Sequence, residues 1–305
     1  MKVLVTGGAG FIGSHIVTEL LKNQHEVVVV DNLCSGDRHN LPADIRFVVQ
    51  NVVSNLNPLF EQERFDAVIH LAAQVSVPCS IQDPLGDLRV NLEGLLWILE
   101  ACRRHQVRKI VFASSAAVYG PPKSLPITEE HPLIPVSPYG LTKKSAEEYL
   151  RIYYQLYGIE FTVLRFANVY GPRQSVRGEC GVIAIFADAL CRGRIPTIHG
   201  DGSATRDYVF VEDVARATVL ALHKGHCDIF NVSTSMSVEL NQLFANLTTL
   251  LDRQIKPSYG PSRVGDIQHS RLSNERIRNV LGWQPEIALQ EGLERTVEWL
   301  QSVRR

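Results

Sequence analysis

Tyr139 and Lys143 stand four residues apart in SPYGLTKKSAEEYL, residues 137–150. On a helix that spacing puts both side chains on one face. An ammonium beside a phenol favours the phenolate and lowers a tyrosine pKa from its usual value near 10, toward the range where a general base works. Lys144 lies about 100° further round the helix and cannot share that role. With Glu147 and Glu148 it reads as a solvated or dimer-facing side. Upstream, FASSAAVYG (112–120) follows an apolar run and offers two small hydroxyls, Ser114 and Ser115. Parallel sheets place ligand-binding groups at such strand ends. Pro138, just before the tyrosine, suits a first helical turn. These residue types suit proton transfer to and from an alcohol oxygen.

A second constellation lies at the start of the chain. VLVTGGAGFIGSH places Gly7, Gly8, Gly10 and Gly13 between an apolar run and a helical pattern. Glycines there permit a tight turn and close approach of the backbone to a pyrophosphate, and the helix start supplies N–H donors. The next apolar run ends in Asp31, roughly twenty residues on, where a carboxylate binds ribose hydroxyls and repels a 2′-phosphate. The pattern therefore predicts NAD rather than NADP. Asn51, at the end of the third run, is placed to contact adenine.

The elements that position these groups follow from hydrophobic pattern. KVLVT (2–6), EVVVVD (26–31), IRFVV (45–49), DAVIHLA (66–72), KIVFAS (109–114) and FTVLRF (161–166) are nearly continuous apolar runs. Parallel strands buried on both faces have that composition. Helical patterns span about 12–23, 87–105 and 139–157. Alternating β and α predicts an α/β fold, a Rossmann-type doubly wound parallel sheet. After residue 168 short helices (about 181–192, 212–223, 237–251, 273–281 and 289–303) alternate with loops, which predicts a smaller mixed α/β C-terminal substrate lobe. The expected division is a NAD-binding unit of 1–167, with returning segments about 206–232, and a lobe of 168–205 and 233–305. Segments 204–217 and 229–233 are both candidates to rejoin the sheet.

Composition narrows the function classes. The 305 residues are 45% hydrophobic and 21% charged, with a formal net charge of −1. No bulk field points to nucleic acid or to an anionic membrane. Six cysteines lie far apart without a C-x-x-C pair, which argues against a zinc site or a redox dithiol and fits a reducing, cytoplasmic setting. No metal is expected. The opening run breaks at Gly7-Gly8 and continues into a helix with Glu19 and Lys22, so it reads as structure rather than a targeting signal. No apolar stretch approaches a membrane span. His70, inside a buried run, reads as a satisfied core histidine. Arg173, Arg192 and Arg194 read as solvated.

Taken together, TGGAGFIG (6–13), DNL (31–33), HLAAQ (70–74), Asn91, SSAAVYG (114–120), YGLTK (139–143), RFANVYGPRQ (165–174), RDYVFVEDV (206–214) and RVGDIQHS (263–270) resemble the extended short-chain dehydrogenase/reductases, in their nucleotide-sugar epimerase/dehydratase branch. The likeness covers essentially the whole chain. It implies Ser115, Tyr139 and Lys143 as catalytic residues. For NAD it implies Gly7, Gly10, Phe11, Ile12 and Gly13, then Asp31, Asn32, Ser35 and Gly36. Asn51 and Val52 follow, then Leu71, Ala72, Ala73 and Gln74, and lastly Asn91 and Phe166 with Tyr139 and Lys143. Relatives usually carry Asp at position 51; an amide oxygen still accepts from an adenine amino group.

For substrate the resemblance implies Ser76, Ser115, Tyr139 and Val182, with Asn168, Arg206 and Arg263 on a diphosphate, Asp266 on the nucleotide ribose and His199 by the base. Dehydratase relatives carry an Asp-Glu pair before Val-Tyr-Gly, and decarboxylating relatives a Glu. Here Ala116 and Ala117 supply neither acid nor base, which points to 4-epimerisation of a UDP-hexose through a 4-keto sugar. Ser270, small where relatives border the sugar 2-substituent, leaves room for N-acetyl forms. The family reading adds a homodimer through helices 87–105 and 139–157. Other readings are a UDP-glucuronic acid epimerase, a nucleotide-sugar 4-reductase or dehydrogenase, and a non-catalytic NAD sensor.

Overall fold

The computed structural model describes residues 1–176, 181–262 and 267–303. In chain order the strands are β1 (Lys2–Thr6), β2 (Glu26–Asp31), β3 (Arg46–Val49), β4 (Ala67–His70), β5 (Lys109–Ser115), β6 (Glu160–Phe166), β7 (Asn168–Tyr170), β8 (Thr197–His199), β9 (Thr205–Arg206), β10 (Tyr208–Phe210), β11 (Asp228–Val232), β12 (Val238–Glu239) and β13 (Ser258–Gly260). The helices are α1 (Phe11–Lys22), α2 (Asn57–Glu63), α3 (Val77–Gln82), α4 (Pro84–Leu88), α5 (Gly94–Arg104), α6 (Pro138–Tyr157), α7 (Val182–Cys191), α8 (Val211–Leu220), α9 (Leu240–Leu250), α10 (Glu275–Leu281) and α11 (Leu289–Ser302).

The central sheet is seven-stranded, in the order β3-β2-β1-β4-β5-β6-β11, and every ladder in it is parallel. Alternation along β1 sends Val3 and Val5 into one core with α1 and α8, and Leu4 into the other with α5 and α6. Both faces are thus covered, which is why these strands read as unbroken apolar runs. The strand order reverses between β1 and β4. At such a switch point the loops leave in opposite directions and open a crevice above the strand C-termini. A third core, built on Phe186, Leu243, Leu293 and Leu300, joins α7, α9 and α11.

Several expectations change. Residues 228–232 do rejoin the sheet, through β11 beside β6. Segment 204–217 does not: β9 pairs with β12 and β10 with β7, in separate two-stranded ladders. Strand 66–72 stops at His70, because Leu71–Ser76 leave as a loop over the sheet edge. The helix expected at 87–105 starts at Pro84 and runs through a π-helical turn at Arg89–Glu93 before α5. Such single π turns recur at functional sites. α2 and α3 were not foreseen; each has proline in its first turn.

Candidate active site

The glycine loop shows what a dinucleotide needs. Gly10 caps α1 with no side chain on the first-turn amides and no acid beside them. Those donors and the helix dipole are left for an anion. A Cβ on Gly13 would lie 2.2 Å from the Gly7 carbonyl oxygen, whereas around Gly10 only that same oxygen, at 3.2 Å, is near. Gly13 therefore serves loop-to-helix packing, and Gly10 leaves backbone bare on its open side. At the end of β2, Asp31 accepts from Ala9 N at 3.0 Å and Leu33 N at 2.8 Å, which ties it to the loop. Gly36 packs against Ala9, and Asn32 and Ser35 are exposed on the turn that follows. Phe11 and Ile12 are partly covered at the start of α1. These residues fit NAD.

Around the rim, Leu71, Ala72, Ala73 and Gln74 pass over Gly7, whose Cβ would meet Ala72 N at 2.7 Å. Asn91, inside the π turn, accepts from Gln74 N at 2.8 Å and donates to Gln74 O at 3.0 Å. Val52 is buried against Gly94, and Phe166 is buried at the end of β6. Asn51 lies two residues beyond β3 rather than at its end. Its exposed amide oxygen accepts from Val53 N at 3.0 Å.

The catalytic candidates converge at the C-terminal end of β5. Ser137 caps α6 by accepting from Gly140 N at 3.1 Å, and Pro138 opens its first turn, which fixes Tyr139 at the helix start. Tyr139 hydrogen-bonds Ser115. Ser115 Oγ also accepts from Ala117 N at 3.2 Å. One turn on, Lys143 donates to the Ala113 carbonyl at 2.8 Å, its Nζ 4.8 Å from the Phe112 ring centroid. Burial moves Lys143 down to about 8. Burial also pushes Tyr139 up, and the Ser115 hydrogen bond opposes that rise without overcoming it. The expectation that Lys143 lowers Tyr139 is therefore corrected for the free protein: desolvation wins, and the ammonium is directed at a strand carbonyl.

Two further expectations are overturned. Glu147 is not on a solvated side. It is buried, accepts from Ser114 Oγ at 2.5 Å, and takes a bidentate ion pair from Arg165 at 3.0 and 2.6 Å. Burial works against the Arg165 charge, yet Glu147 holds its pKa above the usual guanidinium value. Lys144 is partly covered and donates to the Leu133 carbonyl at 2.9 Å, while Glu148 does stay exposed. His70 is only half satisfied: Nδ1 meets Thr6 Oγ1 at 2.8 Å, and buried Nε2 has no partner among the described residues. Its pKa falls to about 3, so the ring is neutral.

Sequence reasoning also missed Asp87 and Thr142. Asp87 is buried and accepts from Gln74 Nε2 at 2.8 Å, Asn91 Nδ2 at 3.0 Å and Thr142 Oγ1 at 2.8 Å. The available signal was Asp87 four residues before Asn91, hence on the same helix face. Arg165, a full charge inside an apolar strand, was the corresponding signal for Glu147.

Among the substrate candidates, Ser76 caps α3 by accepting from Cys79 N at 3.0 Å. Asn168 is exposed at the start of β7, and Val182 opens α7. Arg206 donates to the Thr205 carbonyl at 2.9 Å, and Ser270 N bonds that same carbonyl at 3.1 Å. His199 Nδ1 lies 3.1 Å from the Pro261 carbonyl, beside a cavity of about 710 Å³ lined also by Asp201, Tyr259 and Gln268. That volume is in the general range of small-molecule pockets. Arg263 and Asp266 lie outside the described residues, as does Cys180. Arg192 and Arg194 are exposed and pair with Asp188 at 3.0 and 3.1 Å. Arg173 is partly buried rather than solvated, and its Nη1 has no partner among the described residues. Among the described residues no helix is long and apolar enough to cross a membrane, and no cluster of His, Cys, Asp or Glu could hold a metal ion.

The NAD dependent epimerase/dehydratase family model matches residues 3–233. The chain is 44% identical over 310 residues to the UDP-glucose 4-epimerase of Mycolicibacterium smegmatis, covering 99% of each. It superposes with a TM-score of 0.98 and 43% identity on the crystal structure of UDP-glucose 4-epimerase from Thermotoga maritima with UDP-glucose, covering 100% of both chains. The UDP-N-acetylglucosamine 4-epimerase of Methanobrevibacter ruminantium M1, in complex with UDP-N-acetylmuramic acid, matches with a TM-score of 0.95 and 34% identity, covering 99% of this chain and 98% of that one.

Proposed function

Because the chain belongs to the NAD dependent epimerase/dehydratase family, we propose that it is a UDP-hexose 4-epimerase, acting on UDP-glucose and UDP-galactose. The observation that carries this reading is the end of β5. Ser115, Tyr139 and Lys143 gather there, and the adjacent Ala116 and Ala117 offer no second acid or base for elimination or decarboxylation. NAD supplies a hydride acceptor and donor, by which a sugar C4 is oxidised to a ketone and reduced again on its other face. It would be held by Gly7, Gly10, Gly13 and Asp31, with Lys143 on the nicotinamide ribose.

Tyr139 is the proton carrier at the C4 oxygen, taking the proton as the ketone forms and returning it as the alcohol reforms. Ser115, hydrogen-bonded to Tyr139, holds that oxygen and passes the proton. Burial keeps Tyr139 a phenol in the free protein, so the loaded site must favour the phenolate beyond what Ser115 provides. The lobe of 168–205 and 233–305 anchors the nucleotide through Asn168, His199, Arg263 and Asp266, with Arg206 just beyond its first segment. The unit of 1–167 carries the cofactor. Anchoring the UDP lets the sugar turn over without leaving.

Ser270 leaves space at the sugar 2-substituent, so UDP-N-acetylhexoses are substrates in the same reading. The solved relative that is a UDP-N-acetylglucosamine 4-epimerase supports this. The homodimer is supported by the exposed apolar side chains Leu85, Leu88, Trp97, Leu141, Ile152 and Tyr157 on α4, α5 and α6. Exposed apolar side chains on those helices suit contact with a second copy. The described cysteines are all free thiols, which supports a cytoplasmic location.

The test is incubation of the purified protein with UDP-galactose, UDP-N-acetylgalactosamine and UDP-glucuronic acid without added NAD, with C4 epimers read by chromatography. Epimers from the first two are expected. Release of a stable oxidised or reduced sugar would favour a dehydrogenase or reductase. Tyr139→Phe should lower turnover by about 10²–10⁴-fold, and unchanged turnover would refute the assignment.

A further inference from the structure

Two opposite charges are buried beside this site, each touching only neutral groups. Asp87, on α4, is 1% exposed, and its three hydrogen-bond donors are an amide of Gln74, an amide of Asn91 and the hydroxyl of Thr142. Lys143, the residue after Thr142 on α6, is 3% exposed and touches a strand carbonyl and an aromatic face. Among the described residues neither forms an ion pair within 4.0 Å. A buried carboxylate and a buried ammonium are each costly alone and tolerable only with a nearby opposite charge.

The other titratable groups around Lys143 do not meet that need. Glu147, one turn along α6, is already balanced by the two-pronged contact from Arg165. Tyr139, one turn back, is a neutral phenol. His70, from β4, is neutral. Asp87 is the remaining anion that acts on Lys143, and it acts in favour of the ammonium.

We infer that Asp87 is the counter-charge of Lys143, a positioning residue on an element outside the Ser-Tyr-Lys set that keeps the lysine protonated in a dry interior. The inference rests on the reading of Lys143 as a member of the catalytic set. The geometry gives Asp87 a second consequence. Its hydrogen bonds tie the loop over the glycine turn, through Gln74, to the catalytic helix, through Thr142. The π turn aids this by presenting Asn91 to Gln74 and Asp87 together.

Asp87→Asn removes the charge and keeps the hydrogen-bond pattern. The new amide oxygen accepts from Gln74 and Asn91, and its nitrogen donates to Thr142 Oγ1. The Thr142 hydroxyl then donates to the Tyr139 carbonyl, already 3.0 Å away. Thr142→Val is the complementary change, deleting one of the three hydrogen bonds to Asp87 and keeping the charge.

The experiment dialyses wild type, D87N and T142V, each loaded with NAD, at pH values from 6 to 10. Retained NAD is measured after acid release, and kcat is measured across the same range. The expected result is that the midpoint of NAD loss and the alkaline fall of kcat both move down by about one pH unit in D87N. In T142V neither moves. Unmoved midpoints in D87N, or an equal shift in T142V, would overturn the pairing. If D87N does not fold, D87N/K143M decides: a folded double variant supports the pairing, and an unfolded one overturns it. Shifted NAD retention in a protein that epimerises no UDP-hexose would sink the functional reading and leave the pairing intact.

Discussion

Replacing Arg165 with Met would leave the Glu147 carboxylate buried, with the Ser114 hydroxyl as its one remaining donor among the described residues. Both partners of the pair are 3% exposed at the side chain, so water cannot take over. Breaking such a pair costs about 3–5 kcal/mol, since the desolvated charge stays behind. Tyr119 loses the Arg165 contact at 2.9 Å but still donates to Asn231 at 2.7 Å, so it adds little. Unfolding entropy near 60 °C is about 2.1 cal/mol/K per residue, or about 0.6 kcal/mol/K for this chain. A loss of about 4 kcal/mol therefore lowers Tm by about 6 °C. Glu147→Met/Arg165→Met removes both charges and should recover most of the loss. Scanning calorimetry at saturating NAD measures all three proteins. A single variant within about 2 °C of wild type, or a double variant below the single, would refute the reasoning.

Gly13→Ala places a methyl on backbone atoms of Gly7 and Gly8, so the loop must open. The protein should purify without NAD, and a stoichiometric cofactor in that variant would contradict the cradle. Ser270→Tyr should abolish turnover of UDP-N-acetylgalactosamine while sparing UDP-galactose; unchanged N-acetyl turnover would remove Ser270 from the sugar pocket. Asp207 tests pH dependence. Burial raises its pKa to about 6, against hydrogen bonds from Thr234 and Leu272 that favour the carboxylate. The folded state therefore holds the proton to higher pH than the unfolded state, and this group's contribution falls as pH rises from about 4 to 6. The wild-type unfolding free energy relative to Asp207→Asn should drop by about 2 kcal/mol between pH 4 and pH 7. Denaturant melts at the two pH values measure it, and a constant difference would argue against the raised pKa.

What the sequence made legible was whatever rests on local pattern. The valine-rich run of β2 and the glycines between β1 and α1 carry their surroundings with them, since a strand buried on both faces excludes polar residues. Helical phase does bury Tyr139 and Lys143 on one side of α6 and leaves Lys144 partly covered. Contacts made across elements were not legible. Glu147 looks like any exposed helix acid until β6 brings Arg165 beneath it. Asp87 sits among surface-type residues, and the π turn, the Gln74 loop and Thr142 of α6 enclose it. The direction of the Tyr139 shift depends on desolvation by the whole fold, which spacing on one helix does not contain. The short ladders β7–β10 and β9–β12 are two or three residues long, too short for a periodic signal.

The placement of β11 has a consequence for how the chain is made. β6 has β5 on one side and β11 on the other, and the residues between Phe166 and Asp228 lie outside the central sheet. During synthesis at about 5–20 residues per second, β6 emerges roughly 3–12 s before its outer partner. Through that interval Phe161, Val163 and Leu164 sit on an open strand edge, a template for pairing with another nascent chain. Nascent chains in which Phe166 has left the exit tunnel and Asp228 has not should thus be the aggregation-prone ones and the natural clients of a chaperone, with the hazard closing once Val232 has emerged.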